Sequence, residues 1–400
     1  MLFVHLKLLV FSALVGVLGG FVGAAFSHTL SIATGIRESA PWLILLLPIA
    51  GVTTVLIYRA LRMEDHGGTN EIIRNLQNQS KIRIIAAPLI FICTAITHLF
   101  GGSAGREGAA IQLGGAGAAA FSRVLKLRGD EKSIFIMSGM SALFAGVFGT
   151  PLTAAFFILE FKSSKRIFPS SILPCFISAI IAKFISSLLG IEAETAHIVG
   201  DLNFTFSTTW KILVLAILLC LLGFAMCFMF DHTHDLVKRF FKSPILRTIV
   251  LSIALIVMTA FVGDMRYNNS GMEMALAAIE GEADWYDFIL KTLFTAVTLA
   301  AGFKGGKIVP TFCIGATFGC IVGGMLGLDV GLAAAIGLVG LFCCVTNSPF
   351  GALCLGIEMF GITALPYFVI VCIILWLLSL NRGLFDGRLL KSPIFTKLKR

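Results

Sequence analysis

The stretch that decides the fold runs from His98 to Gly115, HLFGGSAGREGAAIQLGG, where an adjacent arginine and glutamate sit among glycines in the middle of an apolar sequence. A charged side chain at membrane depth is costly, so a residue that carries one there is read first as functional. The glycines come just before an apolar run with helical spacing, which predicts a helix N terminus over Gly105–Gly108 with unpaired N–H groups. Such an end is an anion site through its geometry and its dipole. Arg106 adds positive potential, and the carboxylate of Glu107 can occupy the same cradle when no other anion does. The alternative is that Arg106 and Glu107 simply pair, although adjacent helical residues do not face one another.

Working outward, the composition puts this stretch in a membrane. Of the 400 residues 57% are hydrophobic and only 13% charged, and the mean hydropathy is +0.94, which takes the chain outside the soluble globular class. Long apolar runs recur from end to end, so a single transmembrane domain over residues 1–400 is expected, with no separate soluble domain. The formal +9 charge lies in short loops and at the C terminus, where Lys and Arg set topology, which reads against nucleic-acid binding. The opening MLFVHLKLLVFSALVGVLGGFVGAA has the look of a secretory signal, but its apolar run is long enough to span and many spans follow, so it is read as a retained first helix. The 10 Cys lie in apolar segments without a C-x-x-C pair and read as buried thiols, not metal ligands or disulfides. His28, His66, His232 and His234 read as solvated groups at loops or helix ends, and the 4 Trp as interfacial anchors. No cofactor or metal is implied.

Apolar runs of span-like length in the first half are Leu2–Phe26, Trp42–Leu61, Ile82–Phe100, Phe135–Phe161 and Ile172–Leu189. The second half offers Trp210–Phe230, Ile249–Val262, Phe288–Ala301, Ile308–Leu326, Leu332–Val345 and Phe350–Leu380. Several are too short, or too broken by Gly and Pro, to be simple spans. Discontinuous helices at membrane depth are tolerated where they are buried in protein or line a cavity, and they point to transporters.

The two halves also resemble each other. LFAGVFGTPLTAAFFILE, Leu143–Glu160, aligns without gaps on LFCCVTNSPFGALCLGIE, Leu341–Glu358, placing Pro151 on Pro349 and Glu160 on Glu358. A weaker match sets Gly101–Ala118 on Gly302–Gly319, with Gly105 on Gly306 and Gly114 on Gly315. The first copies are followed by Arg123, Lys126, Arg128 and Lys132, then by Lys162, Lys165 and Arg166, whereas after the second copies no basic residue comes before Arg382. By the positive-inside rule the copies are therefore inverted, as repeats of about 1–191 and 209–390, with the substrate site expected where they meet near the midplane. The acidic EAETAHIVGD, Glu192–Asp201, fits an external loop, and HTHDLVKRFFKSPILR, His232–Arg247, a cytoplasmic one. The C-terminal KSPIFTKLKR belongs inside, so both termini are expected in the cytoplasm.

Two further segments could reach the same anion. GFKGGKIVPTFCIGATFG, Gly302–Gly319, opens a second helix on glycines, with Pro310 near its first turn. DHGGTNEIIRNL, Asp65–Leu76, starts a short polar helix in which Thr69 or Asn70 can cap and donate; the plainer reading is a solvated loop. GGSAG also fits G-x-S-x-G, but that nucleophile elbow needs a strand where an apolar helical run stands here. GFKGGK is one residue short of a P-loop, and Ile follows its Lys.

With these residues in place, THLFGGSAGREGAAIQLGG resembles the CLC family of anion channels and anion/proton antiporters, whose signature is G-[KR]-E-G before a helix. GFKGGKIVPTF is similar to the family's second G-G-x-x-x-P signature, and LFAGVFGTPLTAAFFILE to its proline-led helix ending in glutamate. The resemblance runs from about Gly16 to Phe385 and is greatest to the fluoride/proton antiporter branch. It implies an all-α polytopic membrane protein of two inverted-topology repeats with discontinuous and half-spanning helices, a transporter and not an enzyme, in the cell membrane. It also implies a homodimer in which each subunit holds its own pore, with a small halide anion and a proton as the transported species. No regulatory nucleotide-binding domain pair fits after Arg400.

The resemblance makes Glu107 the gating glutamate, which occupies the anion path when ionised and leaves it when protonated. Gly105, Arg106 and Gly108, with Gly306, Lys307, Ile308 and Val309, would line that path, and Thr69 and Asn70 stand where the family's first anion-binding loop falls. Fluoride holds its water more tightly than chloride, so its site must offer compact, strong donors. Fluoride/proton antiport is the leading expectation, and a chloride-selective exchanger or a passive anion channel the alternative. Three departures bear on that choice. Lys307 and Val309 stand where most fluoride-branch members show an acidic residue and a threonine. Phe385, in NRGLFDG, replaces a central tyrosine, and Phe161 stands where many chloride/proton members carry an internal proton-transfer glutamate.

Overall fold

The computed structural model describes residues 2–64, 66–77, 81–161, 167–198, 206–379 and 383–385. Lys162, Lys165, Arg166, Arg382 and the terminal KSPIFTKLKR, used above for orientation, lie outside them. The described residues form sixteen α-helices and one 3-10 turn, with no strand beyond an isolated antiparallel bridge between Gly105 and Gly306. The protein is all-α, as expected.

The helices repeat in order. Eight run from α1 (Leu2–Ser39) to α8 (Ile167–Leu188), and eight from α9 (Phe206–Phe240) to α16 (Leu365–Leu378). Within each set a long helix comes first, and the third is a single short piece, α3 (Thr69–Gln77) or α11 (Met272–Ile279). The fifth helices, α5 (Glu107–Val124) and α13 (Ile308–Met325), are both 18 residues long. Among the described residues seven helical segments are long and apolar enough to cross a membrane, and the chain is a multi-pass membrane protein.

Local chemistry explains where the apolar runs break. The run Phe135–Phe161 is two helices, α6 (Gly129–Phe148) and α7 (Pro151–Leu159), because Gly149 turns left-handed at φ 81° and Pro151 opens the next helix. At the repeat-related place α14 (Val330–Thr346) gives way to α15 (Pro349–Phe360), with Asn347 at φ 51° in the glycine's role. Close helix packing follows the same symmetry. A Cβ on Gly114 of α5 would lie 2.2 Å from the Gly139 carbonyl of α6, and one on Gly315 of α13 would lie 2.3 Å from the Gly337 carbonyl of α14. The glycines let backbones touch where lipid offers no hydrophobic drive for association.

The helices α7 and α15 lie antiparallel, and each ends in a carboxylate that caps the other. Glu358 accepts from the N–H of Leu152 at 2.7 Å and of Thr153 at 2.8 Å, and from the Thr153 hydroxyl at 2.7 Å. Glu160 in turn accepts from the Ser348 hydroxyl and from the N–H groups of Phe350 and Gly351, both at 3.2 Å. Two helix starts thus have orphan donors satisfied across the repeat boundary.

Candidate anion site

The bridge between Gly105 and Gly306 fixes the site. Gly105 N–H donates to the Gly306 carbonyl at 2.8 Å, and Gly306 N–H returns the bond at 2.6 Å. The chain therefore enters α5 and α13 side by side, and both helix starts open at one point. Contact is so close that a Cβ on Gly306 would lie 2.7 Å from the Gly108 nitrogen, and one on Gly305 2.4 Å from Ala104 Cβ. A backbone approach of this kind admits only glycine.

Glu107, at the first turn of α5, is 1% exposed. Its Oε2 accepts from the Arg106 N–H at 3.0 Å, and it lies 2.9 Å from where a Gly105 Cβ would stand, a position 3.1 Å from Pro310 Cδ. The carboxylate is thus folded back over the crossing of the two helix starts. Taking such a charge out of water costs several kcal/mol, which oriented amides and a nearby cation offset. The cation is Arg106, whose Nε is 3.5 Å from Glu107 Oε1. The pairing that adjacency argues against therefore occurs: Arg106 is the helix cap and not part of the regular turn, so its side chain can fold over its neighbour. Its guanidinium also donates to Glu194 at 2.8 Å.

Thr69 is buried against this crossing. Its hydroxyl donates to the Gly108 carbonyl at 3.2 Å and accepts from Gln112 Nε2 at 3.1 Å. The segment starts a short helix at Thr69 as expected, and the Thr69 hydroxyl donates; it does so across to α5 and not as a cap of its own helix, and it is buried, which corrects the plainer reading of a solvated loop. The role of staple for α3 falls to Glu71, which accepts from Gly67 N–H at 2.7 Å. Asn70 follows Thr69 on α3, half-buried. Ile308 and Val309 are buried in the first turn of α13, while Lys307, its cap, sets its ammonium 5.5 Å from the Phe230 ring. Phe385 lies in another cluster: its ring packs at 6.0 Å on Phe157 and at 5.5 Å on Phe161. From Phe157 the rings continue through Phe342 to Phe312, one turn into α13.

A cavity of about 890 Å³ reaches the site, walled by His98, Arg106, Glu107, Glu194, Arg266 and the loop from Asn269 onward. Sequence reading missed several of these residues. Glu194 was read only as part of an acidic loop. Lys291, in the apolar FILKTLF, carried the signal of a charge at membrane depth. It is fully buried and donates to Ser103 Oγ at 3.0 Å and to the carbonyls of Tyr267 at 3.1 Å and Asn269 at 2.5 Å. Ser103 also contacts Thr295 Oγ1 at 3.0 Å, so this buried hydroxyl packs the loop and is not an exposed elbow. The buried Arg37 donates to the Asn268 carbonyl, and Asn268 Nδ2 donates to the Gly101 carbonyl at 2.9 Å. The loop between α10 (Pro244–Val262) and α11 therefore holds GGSAG in place. At the cavity rim Arg266 donates to Asp284 at 2.6 Å, and this bond holds the Asp284 carboxyl below its usual range.

Other histidines depart from expectation. The His66 side chain is 5% exposed, with Nδ1 2.8 Å from Glu71, whereas His28 is exposed as expected but lies inside α1 and not at an end, its Nε2 2.8 Å from the Leu189 carbonyl. Eight of the ten cysteines are buried and all are unbridged.

Two repeat-related helices meeting start to start, with a carboxylate at the junction, are the arrangement of a membrane transporter and not of an enzyme. Residues 50–379 match the model of the voltage gated chloride channel family, and the chain belongs to that family. It is 33% identical over 392 residues to a chloride/fluoride channel protein of Pseudomonas syringae pv. tomato, covering 96% of this chain and 86% of that one. To the H(+)/Cl(-) exchange transporter ClcA of Salmonella arizonae it is 24% identical over 383 residues, 88% of this chain and 81% of the other. The crystal structure of a CLC-type fluoride/proton antiporter superposes with a TM-score of 0.90 at 32% identity, covering 96% of this chain and 98% of that one. A slow cyanobacterial Cl-/H+ antiporter shares the fold, with a TM-score of 0.76 at 20% identity over 98% and 97% of the two chains.

Proposed function

We propose that the protein exchanges a small halide, with fluoride foremost, for protons across the cell membrane, and that Glu107 is the group that couples the two. The observation that carries this reading is the Glu107 carboxylate folded over the paired starts of α5 and α13. A carboxylate there has the charge and hydrogen-bond demand of a halide, so anion and side chain compete for one place. When Glu107 takes a proton its claim on the amides weakens and the anion can enter. When the anion leaves, the ionised carboxylate returns. Alternation of this kind moves the anion and the proton in opposite directions.

In this reading the amides around Gly105, Arg106 and Gly108 face those of Gly306, Lys307, Ile308 and Val309 across the path, with Thr69 and Asn70 at one side and Phe385 at the other end. Residues 1–400 act as one transport domain of two repeats, both termini cytoplasmic, in a homodimer with one pore per subunit. A second reading, a chloride-selective exchanger or a passive anion channel, is favoured by Lys307, Val309 and Phe385, which lack the carboxylate and hydroxyls that the fluoride-branch pattern would place there. Purified protein in liposomes separates the two, with halide electrodes and pH followed together under a fluoride and then a chloride gradient. Fluoride/proton exchange predicts uphill proton movement under the fluoride gradient. Halide flux without proton movement would establish the channel.

A further inference from the structure

His98 closes the last turn of α4 (Ala86–Leu99) and is part of the wall of the cavity that reaches Glu107. Only 3% of the residue is exposed, and its Nε2 is buried with no partner at hydrogen-bond geometry, the Asn269 side chain being the polar neighbour that acts on the ring. An unsatisfied buried nitrogen costs about 1–3 kcal/mol, so it calls for a reason. The charged groups acting on this ring are all cations: Arg106, then Arg37 and Lys291. Arg37 and Lys291 give their hydrogen bonds to neutral oxygens of Asn268, Ser103, Tyr267 and Asn269. Lys291 has no carboxylate within ion-pair reach among the described residues, and the Arg37 partner, Glu38, is 57% exposed at its side chain. Of these cations Lys291 alone has no carboxylate partner among the described residues, since Arg106 pairs with Glu107 and Glu194 and Arg37 with Glu38.

We propose that His98 Nε2–H and the Arg106 guanidinium form an anion position in the cavity, outside the Gly105–Gly306 crossing, where a halide waits while Glu107 holds the inner place. The imidazole offers an anion one N–H at this position, and the Arg106 guanidinium beside it supplies the charge. A single weakly polar donor plus a guanidinium binds loosely enough for the ion to step on when Glu107 leaves. Glu194 shares Arg106 at 2.8 Å and is the group the arriving anion would displace. This inference rests on halide transport being the function.

The full chain in liposomes tests it through the concentration dependence of halide flux in three variants. His98→Phe keeps the ring and removes the donor, His98→Gln places an amide near Nε2, and His98→Asn reaches only the Nδ1 side. The proposal expects His98→Phe to raise KM about fivefold, corresponding to about 1 kcal/mol, with kcat little changed, and His98→Gln alone to restore it. An unchanged KM in His98→Phe, or rescue by His98→Asn as good as by His98→Gln, overturns it. Wild-type protein with 15N-labelled histidine gives an answer even where His98→Phe does not fold. One Nε2 resonance, absent from His98→Gln, must move on adding fluoride or chloride, and if it stays fixed the nitrogen contacts water alone and the proposal fails. Wild-type protein that carries no halide at all would instead remove the transport reading on which the site depends.

Discussion

At the residue scale the site is held by what it lacks. Gly306 has no side chain because its missing Cβ would lie 2.7 Å from the Gly108 nitrogen, inside any contact distance. Gly306→Ala should spread the two helix starts, cost about 1–3 kcal/mol as overpacking, and reduce halide flux at least about tenfold, as an amide donor shifted out of place loses about 1.4 kcal/mol. Thermal unfolding in detergent and liposome flux measure the two effects separately. Retained flux in a destabilised protein would show that the crossing has a packing role only. Glu107, Gly105 and Gly306 were legible in the sequence because a charge among glycines at membrane depth has few structural explanations. His98 and Glu194 were not, because a histidine at a helix end and a glutamate in an acidic loop look the same whether they face water or a buried chamber. Lys291 was legible in principle and was passed over, since it stands alone without the glycines that mark the other sites.

At the element scale the two repeats are tied by exchange of helix caps. Removing one carboxylate by Glu358→Ala leaves the N–H groups of Leu152 and Thr153 and one hydroxyl without their acceptor. The expected loss is about 1–3 kcal/mol, read as a lower unfolding temperature in detergent. Glu160→Ala should act alike on α15, and unchanged unfolding in both would mean that the caps contribute nothing. The alignment of Glu160 on Glu358 was visible in the sequence, but its meaning was not, because the bonds run between repeats and no local pattern records them. Likewise Phe135–Phe161 and Phe350–Leu380 were each legible as apolar but not as two helices, since hydropathy averages over Gly149 and Gly361. The helices α3 and α11 are too short for a periodicity to stand out. A smaller pH effect belongs to the cavity rim. Arg266 lowers the pKa of Asp284 below its unfolded value, so the contribution of this bond is complete at neutral pH and is lost as pH falls through the folded-state value. Wild type and Asp284→Asn should differ slightly in unfolding temperature at neutral pH and converge below about pH 4, whereas a constant difference would contradict the assignment.

At the scale of the whole molecule, inversion of the repeats means that α5 and α13 approach their meeting point from opposite faces of the membrane. Charge bias in the loops predicts that a cysteine introduced at Glu192 is labelled from outside intact cells and one at Lys126 is not; the reverse pattern would invert the topology. One polytopic unit, its inverted repeat and the shared point of two helix starts were all readable from composition, internal alignment and flanking charge. In the proposed exchange, transport turns on Glu107 taking the anion's place. The most direct measurement is proton movement into or out of liposomes driven by a halide gradient, with wild-type protein beside Glu107→Gln, which keeps the side chain's shape and cannot ionise. Competition for one place predicts uphill proton movement in wild type and none in Glu107→Gln, with halide flux continuing. Proton pumping by Glu107→Gln would contradict it.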